Sequence, residues 1–292
     1  MKQDQASSTA FTVLQGILLT AASRGGAEWV PDEIVAASRR ILAASEEGRK
    51  RLAQVESPLF RTLAPFMENL MIPGLSRHYV LRKRFIEEAT RAALAEGFTQ
   101  VVSLGAGFDT LTWRFHSGHS DATFIEIDHP ATSGIKRQAL EERGDNLHLL
   151  AVDLAEHDLP QVLGGFAPFD GSRRTLFICE GVLPYLPPAA VEGLFAALKT
   201  LTGSGTRFVF TAVSSTDLPN NNTGLLLRLY LKYLGEPLAW NLERSELRGF
   251  VEAQGYRLLD DAEDADLARR YFPAGVSGVL HQGEFEALTE AL

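Results

Sequence analysis

The sequence predicts an α/β fold built on a parallel sheet, and three observations predict it. Residues 7 to about 95 place apolar side chains at i, i+3 and i+4, with breaks at Pro31, Ser57-Pro58 and Ile72-Pro73-Gly74 and almost no strand-like pattern. After Gly97 come short apolar runs, each followed by a polar or Gly/Pro turn: Val101 to Leu104, Ala122 to Ile127, His148 to Val152, Thr175 to Cys179 and Arg207 to Val213. Helical spacers separate these runs, around 131 to 143, 188 to 201, 223 to 234 and 243 to 254. Short buried strands joined by helices are the signature of βαβ units. Tyr256 to Asp261 and Val276 to Phe285 remain to supply the closing strands as an antiparallel pair. The chain thus divides into a helical cap region, 1–96, packed on a core domain, 97–292, with a helical lid insertion at about 217–240.

Individual elements follow from the same periodicities. Phe11, Leu14, Ile17 and Leu18 fall on one face of an N-terminal helix that docks on the protein, and Ala189, Val191, Leu194, Phe195 and Leu198 do so after the fourth strand. Cys179 ends an apolar run and reads as a small core residue; as the sole cysteine it forms no internal disulfide. Asp260 to Asp266, with five acids in seven residues, reads as a solvated acidic turn. The chain is 45% hydrophobic over 292 residues, enough for a sizeable core, and carries a formal net charge of −9. No global positive field exists to hold nucleic acid or an anionic membrane, so the expected partner is a small molecule or a protein. The run Ile17 to Ala22 is too short for a signal peptide, no apolar stretch reaches membrane-spanning length, and a cytoplasmic location is expected.

Chemistry concentrates where the strands end. Val101 to Leu104 runs straight into Gly105-Ala106-Gly107-Phe108-Asp109-Thr110, where absent side chains permit a tight turn and close approach of a ligand. Two glycines after a strand also serve turns that bind nothing. The next run ends in Glu126-Ile127-Asp128, with Asp128 lying 23 positions after Gly105, near the roughly 20-residue spacing at which a carboxylate reaches ribose hydroxyls. Asp128 precedes His129-Pro130 and would equally serve as a helix cap. A dinucleotide fingerprint would require a third glycine where Thr110 stands, and Asp109 puts negative charge where a pyrophosphate would lie. S-adenosylmethionine has no phosphate and carries sulfonium and ammonium cations, which suits such a loop. The third run ends in Val152-Asp153-Leu154, an acid for the adenine amino group and an apolar face beside it. The fourth ends in Glu180, a glutamate after four apolar residues that is costly unless a cation or donor meets it.

Taken in order, Ser103 to Thr110, Glu126 to Pro130, Val152 to Leu154 and Glu180-Gly181-Val182-Leu183-Pro184-Tyr185-Leu186 resemble the leucine carboxyl methyltransferase superfamily. Within it the chain is most similar to the bacterial branch that includes polyketide O-methyltransferases of the tetracenomycin type, over about Ser76 to Thr211. The resemblance implies a class I methyltransferase fold, a Rossmann-like sheet of seven strands with the last antiparallel, and S-adenosyl-L-methionine as cofactor. Carried over by motif, Gly105, with Ala106 and Gly107, lines the cofactor, Asp128 binds its ribose, Asp153 and Leu154 face the adenine and Glu180 sits near the methionine moiety. The family also has an arginine upstream of the glycine loop. Of the three in Arg77 to Arg84, Arg82 fits best as partner of the methionine carboxylate, while Arg77 and Arg84 also read as solvated bases.

An O-methyltransferase acting on a small molecule is the function this implies, the acceptor being a carboxylate or a phenolic hydroxyl. A carboxylate arrives ionised; a phenol benefits from a base, for which His78, His129 and Tyr185 are the nearby residues. None of the seven histidines forms a metal-spaced pair with an acid or the cysteine, so no metal is expected. The acceptor pocket is expected between Ser57 to Arg84 and the loop after Glu180. The Leu-, Tyr- and Trp-rich segment Asp217 to Trp240 is a lid over it or the face of a homodimer. A nucleotide-dependent oxidoreductase and a catalytically silent cofactor-binding protein are the rival classes.

Overall fold

The computed structural model describes residues 6–292 other than 24, 141–143, 216–220, 223–237 and 273–277. Five helices come first: α1 (Ser8–Ala21), α2 (Asp32–Ala43), α3 (Glu46–Glu56), α4 (Pro58–Met71) and α5 (Leu75–Ala95). Their starts follow local chemistry. Ser7, Ser45 and Ser57 each accept a backbone N–H of the first turn, from Ala10, Gly48 and Phe60. Gly74, at φ 78°, turns the chain into α5. The break at Ala44-Ser45 went unread in the sequence, although Ser45 followed by Glu46 and Glu47 is a helix-start signal. α1 buries Phe11, Leu14, Ile17 and Leu18 and packs on α5.

Seven strands follow among the described residues: β1 (Gln100–Leu104), β2 (Thr123–Asp128), β3 (Leu147–Ala151), β4 (Thr175–Cys179), β5 (Thr206–Val213), β6 (Tyr256–Glu263) and β7 (Glu284–Ala291). They form one sheet in the order β3-β2-β1-β4-β5-β7-β6, and β7 runs antiparallel to both neighbours. The strand order reverses between β1 and β4, which opens a crevice at their carboxyl ends. The connecting helices are α6 (Leu111–Phe115), α7 (Pro130–Ala139), α8 (Leu159–Gly164), α9 (Pro188–Thr202), α10 (Leu247–Ala253) and α11 (Asp264–Tyr271).

Alternating side chains divide the core into two layers. Val101, Phe124, Leu176 and Val209 share one layer with buried residues of α1, α2 and α5. Val102, Ile125, Phe177, Phe208 and Phe210 share the other with α8, α9 and α10. At the centre of the second layer Phe195 meets Phe208, Phe210, Phe250 and Tyr256 edge to face, with ring centroids 5.0 to 5.4 Å away. Cys179 is buried, and burial pushes its thiol up to about 12.

Three expectations need correction, and a fourth lies outside the described residues. The last strand begins at Glu284 rather than Val276: Gly283, at φ 94°, makes the turn, and the strand continues to Ala291. Asp260 to Asp266 is no turn; it ends β6 and begins α11 with a capping box between Glu263 and Asp266. Its acids meet Arg244, Arg269 and Arg270. Ala189 lies exposed in the first turn of α9, whose buried face starts at Val191. The helix expected at 223 to 234, and with it most of the Asp217 to Trp240 segment, lies outside the described residues; Trp240 itself is buried and donates its N–H to the carbonyl of Pro184.

Phe195→Ala empties the centre of the second layer and is expected to cost about 3–5 kcal/mol, read as a lowered urea midpoint at unchanged slope. Ala189→Ser, on the exposed turn of the same helix, is expected to change stability by less than about 0.5 kcal/mol in the same titration.

Candidate functional site

The ends of β3, β2, β1 and β4 lie side by side, so Asp153, Asp128, Gly105 and Glu180 form a row along the sheet's carboxyl edge. Gly105 and Gly107 adopt φ 62° and 51°, conformations that favour glycine, and a Cβ on Gly105 would stand 2.5 Å from Val182. The loop is folded back onto β2: Gly105 and Ala106 both donate their N–H to the carbonyl of Ile127, at 2.9 and 3.2 Å. Gly107 N–H donates to Asp128 Oδ2 at 2.6 Å. Burial raises the Asp128 carboxyl above the usual aspartate range, against the Gly107 N–H, which stabilises the ionised form.

Asp128 is not the helix cap. His129 takes that role, its Nδ1 accepting the N–H of Ala131 at 3.2 Å, and this leaves the Asp128 carboxylate to the glycine loop. Glu126, one residue pair back along β2, turns into the protein, where Lys136 meets it at 2.6 Å and Thr112 donates to it. Asp153 accepts from Ala155 N–H at 2.9 Å, and its other oxygen lies 3.8 Å from His129 Nε2. A cleft of about 310 Å³ opens there, bounded by His129, Pro130, Val152 and Asp153. Leu154 is half-buried against the second core layer.

The cost of Glu180 after four buried residues is met by two cations from α5. Arg82 reaches it at 2.9 Å and Lys83 at 3.0 Å. Lys83 also binds Asp109 at 2.6 Å, so the loop's charge is compensated, and Asp109 in turn accepts the N–H of Leu111. The charge argument against a pyrophosphate is thereby weaker than the sequence suggested. Thr110 keeps its force: it is buried where the third glycine would have to be. Arg84 donates to the carbonyl of Trp29, and Arg77 is exposed beside the Trp29 ring.

Sequence reasoning missed Lys83, Glu284 and Glu286. Arg82, 4% exposed, binds Glu284 at 2.6 Å as well as Glu180. His78 is fully buried with Nε2 3.1 Å from the same Glu284 oxygen, and Glu286 lies 3.9 Å from His78 Nε2. These residues are some 200 positions apart in the chain, so no local spacing could show the group. The one available signal was the pair of acids two apart in a strand, which share a face. His78, Glu284 and Glu286 are near enough to share an ion, but the guanidinium of Arg82 already occupies Glu284. Burial would raise the Glu284 carboxyl, yet Arg82 and His78 hold it well below the usual range. Glu286 stands farther from both: burial, and then the charge of Glu284, push its carboxyl well above the usual range, against the charge of Arg82 and a hydrogen bond that Thr211 donates at 2.7 Å.

Burial thus favours the protonated Glu286 carboxyl in the folded chain, so its contribution to stability is present below the ordinary glutamate pKa and is lost as pH rises through the raised folded value. Arg82, Thr211, Glu180, Glu284 and His78 are the charged and polar groups around it. Glu286→Gln, which imitates the protonated carboxyl, is expected to raise the melting temperature at pH 8 and to leave it nearly unchanged near pH 4; an equal shift at both values would contradict a held proton.

The model of the leucine carboxyl methyltransferase family matches residues 33–199. A protein of Mycobacteroides abscessus, assigned by inference as an S-adenosyl-L-methionine-dependent methyltransferase, is 34% identical over 142 residues, which is 47% of this chain and 44% of that protein. A second of the same description and organism is 29% identical over 209 residues, 67% of this chain and 66% of the relative. The chain thus spans about half to two thirds of the length of the curated relatives it matches. Among solved structures, a protein of Thermobifida fusca assigned as a methyltransferase superposes with a TM-score of 0.60 at 20% identity, covering 87% of this chain and 94% of the other. A DUF574 family protein of Streptomyces avermitilis superposes at 0.61 with 14% identity, over 87% and 97%. Both likenesses are of fold, which in this chain is the seven-stranded class I methyltransferase sheet with β7 antiparallel. On the family match over more than half its length, the chain belongs to the leucine carboxyl methyltransferase family.

Proposed function

We propose that the protein is an S-adenosyl-L-methionine-dependent methyltransferase that methylates an oxygen, carboxylate or phenolic hydroxyl, of a small polyketide-like molecule. The observation that carries the reading is the row Asp153, Asp128, Gly105, Glu180 at the point where the strand order reverses. Its donor set fits the cofactor from end to end. Asp153 edges the cleft suited to an adenine, with the half-buried Leu154 next to it in the chain, Asp128 accepts from ribose hydroxyls, and the Gly105-Ala106-Gly107 backbone admits the ligand where a side chain would collide. Glu180 suits the ammonium group and Arg82 the carboxylate of the methionine moiety. When bound, the cofactor supplies a methyl group already activated on a sulfonium, so the protein's task is alignment and exclusion of water.

On the acceptor side, α4 leaves Leu59, Leu63, Phe66, Met67 and Leu70 exposed, apolar surface that suits an aromatic or aliphatic acceptor between α4 and the loop after Glu180. A carboxylate there needs no base. For a phenol, Tyr185 is the better placed candidate: His78 is sealed in the interior on Glu284, and His129 Nδ1 is committed to its cap. No described helix is long and apolar enough to cross a membrane. A cytoplasmic location and a small-molecule acceptor belong to the same reading.

Calorimetry with S-adenosylmethionine is expected to show binding, and an acceptor screen a product heavier by one CH2. Asp128→Asn is expected to weaken binding by about tenfold or more, the loss of one or two charge-assisted hydrogen bonds. Since burial raises the Asp128 carboxyl, the wild-type affinity should fall with acidification above the ordinary aspartate range, and the asparagine variant should lack that step. Binding of a nicotinamide cofactor in place of S-adenosylmethionine would overturn the reading; binding without turnover on any carboxylate or phenol would reduce it to a silent cofactor-binding protein.

A further inference from the structure

Arg82 reaches the methionine end of the proposed cofactor site from the first half of α5, yet it does not stand alone there. Its Nε and Nη2 face Glu180 and its Nη1 faces Glu284, at 2.9, 2.9 and 2.6 Å. A guanidinium has five N–H donors in a rigid plane, so contacts on both edges fix the plane and leave two donors for a ligand. One of those edges is supplied by β7, outside the residues that the family model matches. Glu284 is itself held. His78 Nε2 bonds the oxygen that Arg82 uses, His281 packs edge to face on His78 at 5.7 Å, and the Gly283 turn places Glu284 opposite Val213 at the end of β5. The other wall of the guanidinium is Gly181, where an added Cβ would lie 3.8 Å from Nη1 and Nη2.

We propose that Glu284, braced by His78, is the positioning residue that orients Arg82 toward the carboxylate of the methionine moiety, so that the last strand completes the cofactor site. This rests on the cofactor reading above. The role is indirect: Glu284 acts on the ligand through the plane of the Arg82 guanidinium. Its effect is accordingly confined to ligands that carry the carboxylate, whereas a merely structural role would weaken every ligand of the site.

The test compares S-adenosylmethionine with 5′-methylthioadenosine, which keeps the adenosine and the sulfur but lacks the amino-acid group, on the full chain by calorimetry. Glu284→Ala is expected to weaken S-adenosylmethionine about tenfold and methylthioadenosine less than twofold. Glu284→Gln, whose side-chain carbonyl still accepts from Arg82, is expected to recover most of the loss. Equal weakening of both ligands, or unchanged or tighter binding of S-adenosylmethionine, overturns the proposal. Should Glu284→Ala fail to fold, Glu284→Asp, one methylene shorter, is expected to lose about threefold for S-adenosylmethionine alone, and absence of that selective loss overturns it equally. If the wild-type chain binds neither ligand, the cofactor reading itself fails, an outcome distinct from the others.

Discussion

A single chain of alternating charges ties the molecule together: Asp109, Lys83, Glu180, Arg82 and Glu284, with the His78 ring at its end, each in contact with the next over 2.6 to 3.1 Å. It begins on the glycine loop after β1, passes the tip of β4, crosses α5 and ends between α5 and β7. Charges this deep are tolerated only in company, and stripping one partner from a buried pair costs about 3–5 kcal/mol. The helical N-terminal stretch and the sheet are therefore joined by ion pairs as well as by the apolar layer of α1, α2 and α5. Two adjacent residues of α5, Arg82 and Lys83, carry the connection.

That connection explains why the carboxyl edge of the sheet can be so acidic. Asp109, Asp128, Asp153, Glu180 and Glu284 all come to one edge, with Glu126 and Glu286 behind them. The carboxyls are met in several ways. Glu126 has Lys136, Asp109 and Glu180 have Lys83, Glu180 and Glu284 have Arg82, Asp128 has the Gly107 N–H, Asp153 has the Ala155 N–H, and burial pushes the Glu286 carboxyl well above the usual range. The edge is thus held by its own side chains and backbone, a frame whose charge suits a cofactor with two cationic centres.

Disagreements between sequence reading and structure share a cause. Asp128 looked like a helix cap because Asp-His-Pro starts helices, and the cap was made by His129 because the β2 carboxylate had a donor within reach in Gly107. The acids of Asp260 to Asp266 looked solvated because their partners, Arg244 and Arg270, were invisible as neighbours. His78 was one of three residues offered as a base for a phenol, each of which also read as structural; the fold gives it the structural place, its ring beyond solvent against Glu284. In each case a local pattern was outweighed by a contact between residues distant in the chain.

The sequence by itself determined the sheet, the helices and the row of residues at its edge, because those depend on periodicity and on the ends of strands. Val101 to Leu104 before Gly105, the apolar run before Asp128 and the run before Glu180 were legible for that reason, and so was the need of Glu180 for a cation. Only the tertiary structure decided which cations answered it. Lys83 had no more claim than Arg77 or Arg84, and Arg82 had been read as the partner of a ligand carboxylate and not of Glu180, until α5 was laid across the β1 and β4 tips; Glu284 had no claim until an antiparallel strand inserted between β5 and β6. Backbone patterns are set by near neighbours, whereas the pairing of buried charges is set by which elements the core brings together.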